Sequence, residues 1–371
     1  MSDFTIKHQC PGAWQPMASG DGMIMRVRAP LNQFSADQLK VIAQVSMECG
    51  NGQLDITRRG TLQIRGVQDN KIDHAQQTLL RAGLLDDTLA GEQAGHILVS
   101  PFWSLWDKQA FDAVRFVQDL KRSLVERGVK LPAKFGFILD CGETPVLTQV
   151  PADIRIEYNA GRFVVVAGNH PLGRPISGKQ VIATVLELVK WYLDHGGMVD
   201  NRGRMAQLLE RVSLPQSFQT INRVSPVQAY GVQDVGKVEQ GLLIGYAFGR
   251  LDVEAVMNLA QFDRVYLTPW RSFFIPDYDG VPDPHPAMIT ARDDPRLRMA
   301  VCRGKPDCTQ ARAATQDVAH LVAQQLERHE TAHITACPKN CAGGQQDFTY
   351  TLLATEQGRY HLPNGGLYVP V

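Results

Sequence analysis

From Gly22 the chain alternates strictly: Met23, Met25 and Val27 fall on one face, and Ile24, Arg26 and Arg28 on the other. That period predicts a strand on which Arg26 and Arg28 stand side by side. Ser35 and Gln38 have the spacing of a capping box, which predicts a helix to about Met47 with Leu39, Ile42 and Ala43 on one face. Leu54/Ile56 and Leu62/Ile64 then alternate as two paired strands around Arg58-Arg59-Gly60. Residues 1–19 are rich in Pro and Gly and read as an irregular arm.

The pattern returns later in the chain. Gly241–Phe248 reads as a strand, Asp252 can cap a helix through Ala260, and Val265/Leu267 and Phe273/Ile275 flank Pro269-Trp270-Arg271. LDITRRGTLQI and VYLTPWRSFFI align without a gap, Thr57 against Thr268. A second unit follows each copy. Helical patterns over Asp107–Arg127 and Arg312–Arg328 lead into Phe135/Phe137/Leu139 before Cys141 and into His333-Ile334-Thr335 before Cys337. Each copy continues with a two-stranded stretch, and the first adds helices near Lys179–His195 and Asn201–Val212. This is an internal duplication, each half a small β-α-β unit followed by an α/β unit. Paired halves would enclose a central cleft, where large ligands usually sit.

Hydrophobic residues make up 44% of the 371-residue chain and charged ones 20%, an ordinary globular composition. Lys and Arg balance Asp and Glu at 38 each, so no global field draws the chain to nucleic acid or to an anionic membrane. Any anion must be recognised by a local cluster. No apolar run reaches the ~18–20 residues that span a bilayer, and the first residues lack the apolar core of a signal peptide. The expected location is the cytoplasm.

Seven cysteines, an odd number unevenly spread, argue against a disulfide framework. Cys10, Cys49 and Cys141 are scattered and read as small buried hydrophobes. Cys302, Cys308, Cys337 and Cys341 form C-x5-C and C-x3-C pairs separated by 28 residues. A [4Fe–4S] cubane needs four thiolates converging on one volume, and two short pairs on two loops supply them. The competing readings are a zinc site or inert thiols; zinc favours C-x2-C or C-x4-C, so this spacing suits it poorly.

Those cysteines, at the end of a duplicated chain, resemble the sulfite/nitrite reductase superfamily. TRRGTLQIRG is similar to its T-x-R-x-x-x-Q tetrapyrrole-anchoring motif, and LPAKFGF to its P-x-K-F strand. The resemblance implies an α+β duplicated sulfite/nitrite reductase-like fold: two ferredoxin-like half domains that pair (15–84 and 226–285) and two α/β lobes (85–225, and a shortened cluster-binding lobe 286–371) around a central cleft. It also implies that Cys341 faces the tetrapyrrole. Departures from the siroheme-binding pattern are visible. Lys134 is followed by Phe135-Gly136, where a second lysine is expected. Gly95-His96 stands where an Arg-Asn pair is expected, and Ala342-Gly343-Gly344 follows the last cysteine. Siroheme carries eight carboxylates, and two lost cations at about 1.5–3 kcal/mol each would weaken its site substantially.

CPGAWQPMASGDGMIMRVR, LTPWR and the GKPDC loop are more similar to the precorrin-3B synthases, the cobalamin-pathway branch of the superfamily. That resemblance implies an oxygen-dependent monooxygenase. It would hydroxylate precorrin-3A at C20 and close a γ-lactone, using the cluster, with a mononuclear non-haem iron as an open further cofactor and no siroheme. The substrates are then precorrin-3A and O2. No dinucleotide fingerprint is present, so electrons would come from an external NAD(P)H-linked reductase or ferredoxin.

A polyanionic macrocycle requires carboxylate forks, for which Arg is suited. Arg59, Arg26, Arg28, Lys134 and Arg271 are the candidate substrate-binding residues; Arg58, Arg65, Arg202 and Arg204 read better as surface or salt-bridge cations. His96, His195, His285 and His333 are left unassigned as iron ligands, and no catalytic residue is named. Two rival functions stand beside the monooxygenase: a siroheme sulfite or nitrite reductase, and a non-catalytic tetrapyrrole- or electron-carrying protein.

Overall fold

A computed structural model describes residues 12–105, 111–141, 145–159, 162–223, 230–232, 234–340, 342–343 and 347–370. Cys10 and Cys341 lie outside the described residues.

The first β-α-β unit contains β1 (Met17–Ser19), β2 (Gly22–Val27), β3 (Gln33–Ser35), α1 (Ala36–Cys49), β4 (Gln53–Ile56), β5 (Leu62–Val67) and α2 (Ile72–Arg81). The capping box forms as the spacing predicts: the Ser35 hydroxyl accepts from Gln38 N–H, and the Gln38 side chain accepts from Ser35 N–H. The arm is not wholly irregular, which corrects one expectation. Gly20-Asp21 turns the chain so that β1 pairs antiparallel with β2, Met17 opposite Ile24.

The α/β unit that follows holds α3 (Leu89–Gln93), β6 (His96–Val99), α4 (Ala113–Glu126), β7 (Gly136–Asp140), β8 (Ile154–Asn159), β9 (Arg162–Ala167), β10 (Leu172–Ile176), α5 (Val181–Asp194), α6 (Met205–Leu209) and β11 (Ile221–Asn222). Its strands form one six-stranded sheet, β6 and β7 parallel. The helix expected over 201–212 shrinks to α6. Asp200, Asn201 and Gly203 all take positive φ, and Val199 bridges to Arg202, so the first part of that segment is a turn.

The second β-α-β copy comprises β12 (Gly236–Val238), β13 (Gly241–Tyr246), β14 (Arg250–Asp252), α7 (Val253–Leu259), β15 (Arg264–Leu267), β16 (Ser272–Pro276) and β17 (Met288–Ile289). After it come β18 (Met299–Val301), α8 (Gln316–Ala323), β19 (Ala332–Thr335), β20 (Tyr350–Leu353), β21 (Tyr360–His361) and β22 (Leu367–Tyr368). The helix expected over 312–328 begins four residues late. Arg312 N–H is taken by Ala336 O, and its guanidinium by Ala354 O, so Arg312 belongs to the loop packing.

The two β-α-β copies exchange strands. β3 of the first copy pairs with β15 of the second, Phe34 opposite Val265; β14 of the second pairs with β4 of the first, Leu251 opposite Leu54. The sheet orders are therefore β1-β2-β5-β4-β14 and β12-β13-β16-β15-β3. The crossovers that permit this are matched. Leu31 and Asn32 in one copy, and Phe248 and Gly249 in the other, take positive φ. Met25, Leu54 and Ile64 share one core with α1, α7, Ile244, Val265 and Phe273.

The outer faces of the two sheets differ in chemistry. Leu243, Tyr266 and Phe274 of the second sheet enter the core of the first α/β unit, with Trp103 set edge-on to Tyr266 and Phe102 edge-on to Phe274. The first sheet turns Asp55 and Arg65 toward the second α/β unit. Interlocked sheets should unfold together. Phe34→Ala truncates a side chain 1% exposed in the exchanged strand and should cost about 3–5 kcal/mol. Urea unfolding followed by fluorescence and circular dichroism should give one coincident, earlier transition; two separate transitions with only one displaced would contradict the interlock.

Candidate active site

The parallel strands β18 and β19 deliver two cysteines to one end of their sheet. Cys302 follows β18 and Cys337 lies just beyond β19. Cys302 N–H donates to Ile334 O at 2.9 Å, and Ser100 N–H donates to Leu139 O at 2.9 Å in the same place of the first α/β unit. The duplication thus sets Cys302 against Ser100, a difference of side chain on an equal backbone. Ala336 N–H donates to Cys302 Sγ at 3.1 Å. Burial pushes the Cys302 thiol up, while the Ala336 and Gly304 amides and the Thr335 hydroxyl favour the thiolate. Cys302, Ala311 and Ala336 pack with Cys308 and Ala342, the residue after Cys341.

Cys302 and Cys308 therefore share one packed cluster, Cys337 lies within electrostatic reach of Cys302, and Cys341 is adjacent in sequence to Ala342, which packs with the first two. The donor set is soft and partly buried, and amide N–H groups point at sulfur. Four thiolates on one zinc, at 2.3 Å, would stand about 3.8 Å apart. The described thiols are not drawn together within 4.8 Å, a grouping met among the described residues only by the Glu327, His329 and Glu330 surface turn. The donors are thiols backed by amide N–H groups, the soft set that suits an iron–sulfur cluster. Cys49 and Cys141 are buried apolar-site thiols, as their scatter suggests.

The loop from Cys302 to Cys308 is docked on the first sheet by charge. Asp55 of β4 pairs with Arg303 at 2.9 Å and with Arg65 of β5 at 3.2 Å. Arg65 also pairs with Asp21 at 2.8 Å and donates to Asp307 O at 3.3 Å. Arg303 pairs with Asp307 at 2.7 Å. Arg250 of β14 is buried beneath the loop and donates to Cys302 O at 2.6 Å. Thr315 Oγ1 donates to the same carbonyl at 2.7 Å. Arg65 is thereby committed to structure. Arg204 is as well, held at 2.9 Å by buried Asp153, while Arg202 is an exposed turn residue.

The turns that align in sequence are equal in space. Thr57 Oγ1 meets Thr61 Oγ1 at 2.7 Å and accepts from Arg59 and Thr61 N–H. Thr268 Oγ1 meets Ser272 Oγ at 2.8 Å and accepts from Trp270 and Ser272 N–H. Gly60 and Arg271 occupy the same position, at φ 61° and 60°. Glycine adopts that conformation freely; arginine loses roughly 1–2 kcal/mol. The strain aims Arg271 across Gly249, where an added Cβ would stand 3.0 Å from its Cδ. Burial, and then neighbouring Arg58, bring the Arg271 guanidinium down to about 10, and its Nε has no partner among the described residues.

The first turn spans both α/β units. Arg58 donates to Ala342 O at 2.7 Å, beside the last cysteine, and Arg59 donates to Lys134 O. His96 Nε2 meets Arg59 O at 2.9 Å. Its imidazole is held well below the usual histidine range, by burial first, then by the Arg28, Arg59 and Arg26 charges that surround it. Arg26, Arg28 and Arg59 are therefore brought together. Arg28 also leans away, donating to Glu92 O and lying 3.9 Å from Asp86. It borders a cavity of about 590 Å³ with His96 and Lys121. That cavity is of small-molecule size, but Asp86, Asp87 and Glu126 balance its cations. Lys134 is exposed, with its carbonyl held by Arg59.

Two of the four histidines take ordinary roles: His285 pairs with Asp252 at 3.3 Å, and His195 caps α5 through Trp191 O. His333 lies against the cysteine loops. It is buried, set 5.3 Å from the Phe348 ring, and near Arg58, with no partner for Nε2 among the described residues. Sequence reasoning missed Asp55, Arg250 and Arg303. A carboxylate inside a strand, two residues before Thr57, was the available signal for the first. It also missed why GAW follows Cys10-Pro11. The Glu92 carboxylate accepts from Ala13 and Trp14 N–H, and Trp14 Nε1 donates to Asp86 O, so Ala13 and Trp14 are fixed against α3 and the Asp86 loop.

Residues 15–82 match the family model of the nitrite/sulfite reductase ferredoxin-like half domain. A curated precorrin-3B synthase from Sinorhizobium sp is 25% identical over 364 residues, covering 90% of this chain and 78% of that protein. The structure of Mycobacterium tuberculosis NirA protein superimposes with a TM-score of 0.61 at 17% identity, covering 93% of this chain and 72% of that one. The fold is therefore α+β and sulfite/nitrite reductase-like, and the likeness to precorrin-3B synthase that the motifs carry is borne out. Among the described residues no helix is long and apolar enough to cross a membrane.

The depressed His96 has a consequence for stability. Its neutral form is preferred in the folded state, so the unfolded chain binds more protons just below the ordinary histidine value of about 6.5. This contribution is full above that pH and is lost as pH falls through the folded value. Urea midpoints measured from pH 7.5 downward should decline, and His96→Gln should flatten the decline in part, since His320 and His333 are shifted in the same direction. An unchanged slope in the variant would contradict the cationic setting of His96.

Proposed function

We propose that this chain is an oxygen-dependent monooxygenase of the precorrin-3B synthase type, converting precorrin-3A to precorrin-3B. The observation that carries the reading is the position of the Arg58-Arg59 turn. One arginine reaches the loop of the last cysteine, and its neighbour reaches the strand-entry residue Lys134 of the other α/β unit. A polyanionic macrocycle held by that turn would lie between a cation cluster and the thiols.

On this reading Cys302, Cys308, Cys337 and Cys341 hold a [4Fe–4S] cluster, which supplies one-electron transfer when bound. Arg59 and Arg271 would take carboxylates of the macrocycle as bidentate forks, Arg26 and Arg28 would add charge behind Arg59, and Lys134 would close the rim as a point charge. Neutral His96 adds no further positive charge beside these guanidiniums, and with Nε2–H donating to Arg59 O its Nδ1 can accept one hydrogen bond. Asp55 lies behind this surface but is engaged by Arg65 and Arg303, so it does not cancel the positive face. Holding the macrocycle edge fixed would confine oxygen insertion to one carbon.

The reaction takes one oxygen atom of O2 into the C20 hydroxyl. The other leaves as water with two electrons and two protons from an external reductase or ferredoxin, and the ring-A acetate then closes the γ-lactone. No catalytic side chain is assigned. Turnover under ¹⁸O-labelled O2 should place one labelled atom in the C20 hydroxyl; a product unlabelled at that position, or labelled only from water, would overturn the proposal. Arg59→Ala should weaken precorrin-3A binding by roughly ten- to a hundredfold, the worth of one charge-assisted contact, measured by absorbance titration. Unaltered binding would remove Arg59 from the site.

A further inference from the structure

Behind the cysteine loops lies a tyrosine with no evident structural use for its hydroxyl. Tyr360 is fully buried in the core formed by β18, β19, β20 and α8, at 0% exposure. Its hydroxyl oxygen has no hydrogen-bond partner among the described residues. A buried unpaired phenol normally costs stability, so tyrosine is placed in cores where the O–H can reach a partner. Phenylalanine would fill the same volume without that cost.

The cysteine loops are within electrostatic reach of that hydroxyl: burial first, and then the Cys302 and Cys337 thiols, one from each loop, push the phenol up. The loop bearing Tyr360 is also built onto those loops. Arg312 donates its backbone N–H to Ala336 O, next to Cys337, and its guanidinium to Ala354 O at 3.0 Å. Thr355 N–H and Arg359 O then close a tight turn through Gly358, at φ 73°, whose added Cβ would stand 3.1 Å from Arg312 O. β21 follows directly, pairing Tyr360 with Tyr368. One residue, through its backbone and its side chain, therefore ties the loop of Cys337 to the turn that carries the phenol.

We infer that Tyr360 is a positioning residue for the metal centre: its hydroxyl donates a hydrogen bond to a sulfur of the bound cluster and thereby sets its reduction potential. This rests on the proposal that the cysteines hold a [4Fe–4S] cluster. Each thiolate and sulfide gains charge when the cluster is reduced, so a donor stabilises the reduced state more than the oxidised one. Removal should make the potential more negative.

The test is an EPR-monitored redox titration of the anaerobically purified holoprotein and of Tyr360→Phe. The ratio of reduced to oxidised cluster at a fixed potential should fall roughly three- to tenfold, the usual worth of a buried hydrogen bond, at most about 59 mV for one electron. Iron and sulfide content should stay unchanged. An unshifted midpoint at full iron content overturns the inference and leaves the cluster reading intact. Absence of a cluster from the unaltered protein overturns the cluster reading itself. Should Tyr360→Phe fail to fold, 3-fluorotyrosine placed at position 360 alone keeps the shape and strengthens the donor. The midpoint should then rise, and an unmoved midpoint overturns the inference equally.

Discussion

The ionic seat of the Cys302–Cys308 loop is the interaction on which the rest depends. Asp55 holds Arg303 from above while Arg65 grips Asp21 and the Asp307 carbonyl, and Arg250 supports the Cys302 carbonyl from beneath. These groups are mostly shielded from water, so their mutual attraction is strong, but only while every partner is present. Three of the supporting residues lie on strands of the first sheet, one of them, Arg250, on the exchanged strand β14. The position of the cysteines is thus set by a sheet far away in sequence, and that sheet is completed only by the exchange.

Duplication explains how one scaffold provides a half that seats the cysteine loop and a half sealed by aromatic packing. The outer face of the second sheet is aromatic and seals the first α/β unit, whereas the equivalent face of the first sheet is charged and receives the cysteine loop. Ser100 stands where Cys302 is, on the same backbone hydrogen bond. Arg59 is matched by Trp270, which stacks on Tyr230 with centroids 5.0 Å apart instead of reaching for an anion. Gly60 is matched by Arg271, which keeps glycine's conformation at an energetic cost. The strained copy and the relaxed copy bring their arginines, Arg271 and Arg58, within electrostatic reach of each other.

Much of this was legible in the chain itself. Capping residues, period-two alternation and the Thr57/Thr268 alignment rest on local physics, and the corresponding helix, strands and turns form as expected. The strand exchange was hidden because β3 and β14 are three residues long, too short to carry a period. The shortened α8 was hidden because Arg312 reads as a helix former and is claimed by tertiary contacts to Ala336 and Ala354. At the site, the cysteines and Arg59 stood in recognisable motifs. Asp55, Arg250 and Tyr360 did not, since their roles come from partners distant in the sequence.

The central claim is that a [4Fe–4S] cluster sits in the cysteine loops beside a tetrapyrrole cleft that holds substrate in place of siroheme. Anaerobic purification of the full chain, with iron and acid-labile sulfide analysis, EPR of the reduced protein and a visible spectrum, tests both halves together. The account predicts about four irons and four sulfides per chain, a cluster signal on reduction and no Soret-type band. Zinc in place of iron, or siroheme extractable from the purified protein, would contradict it.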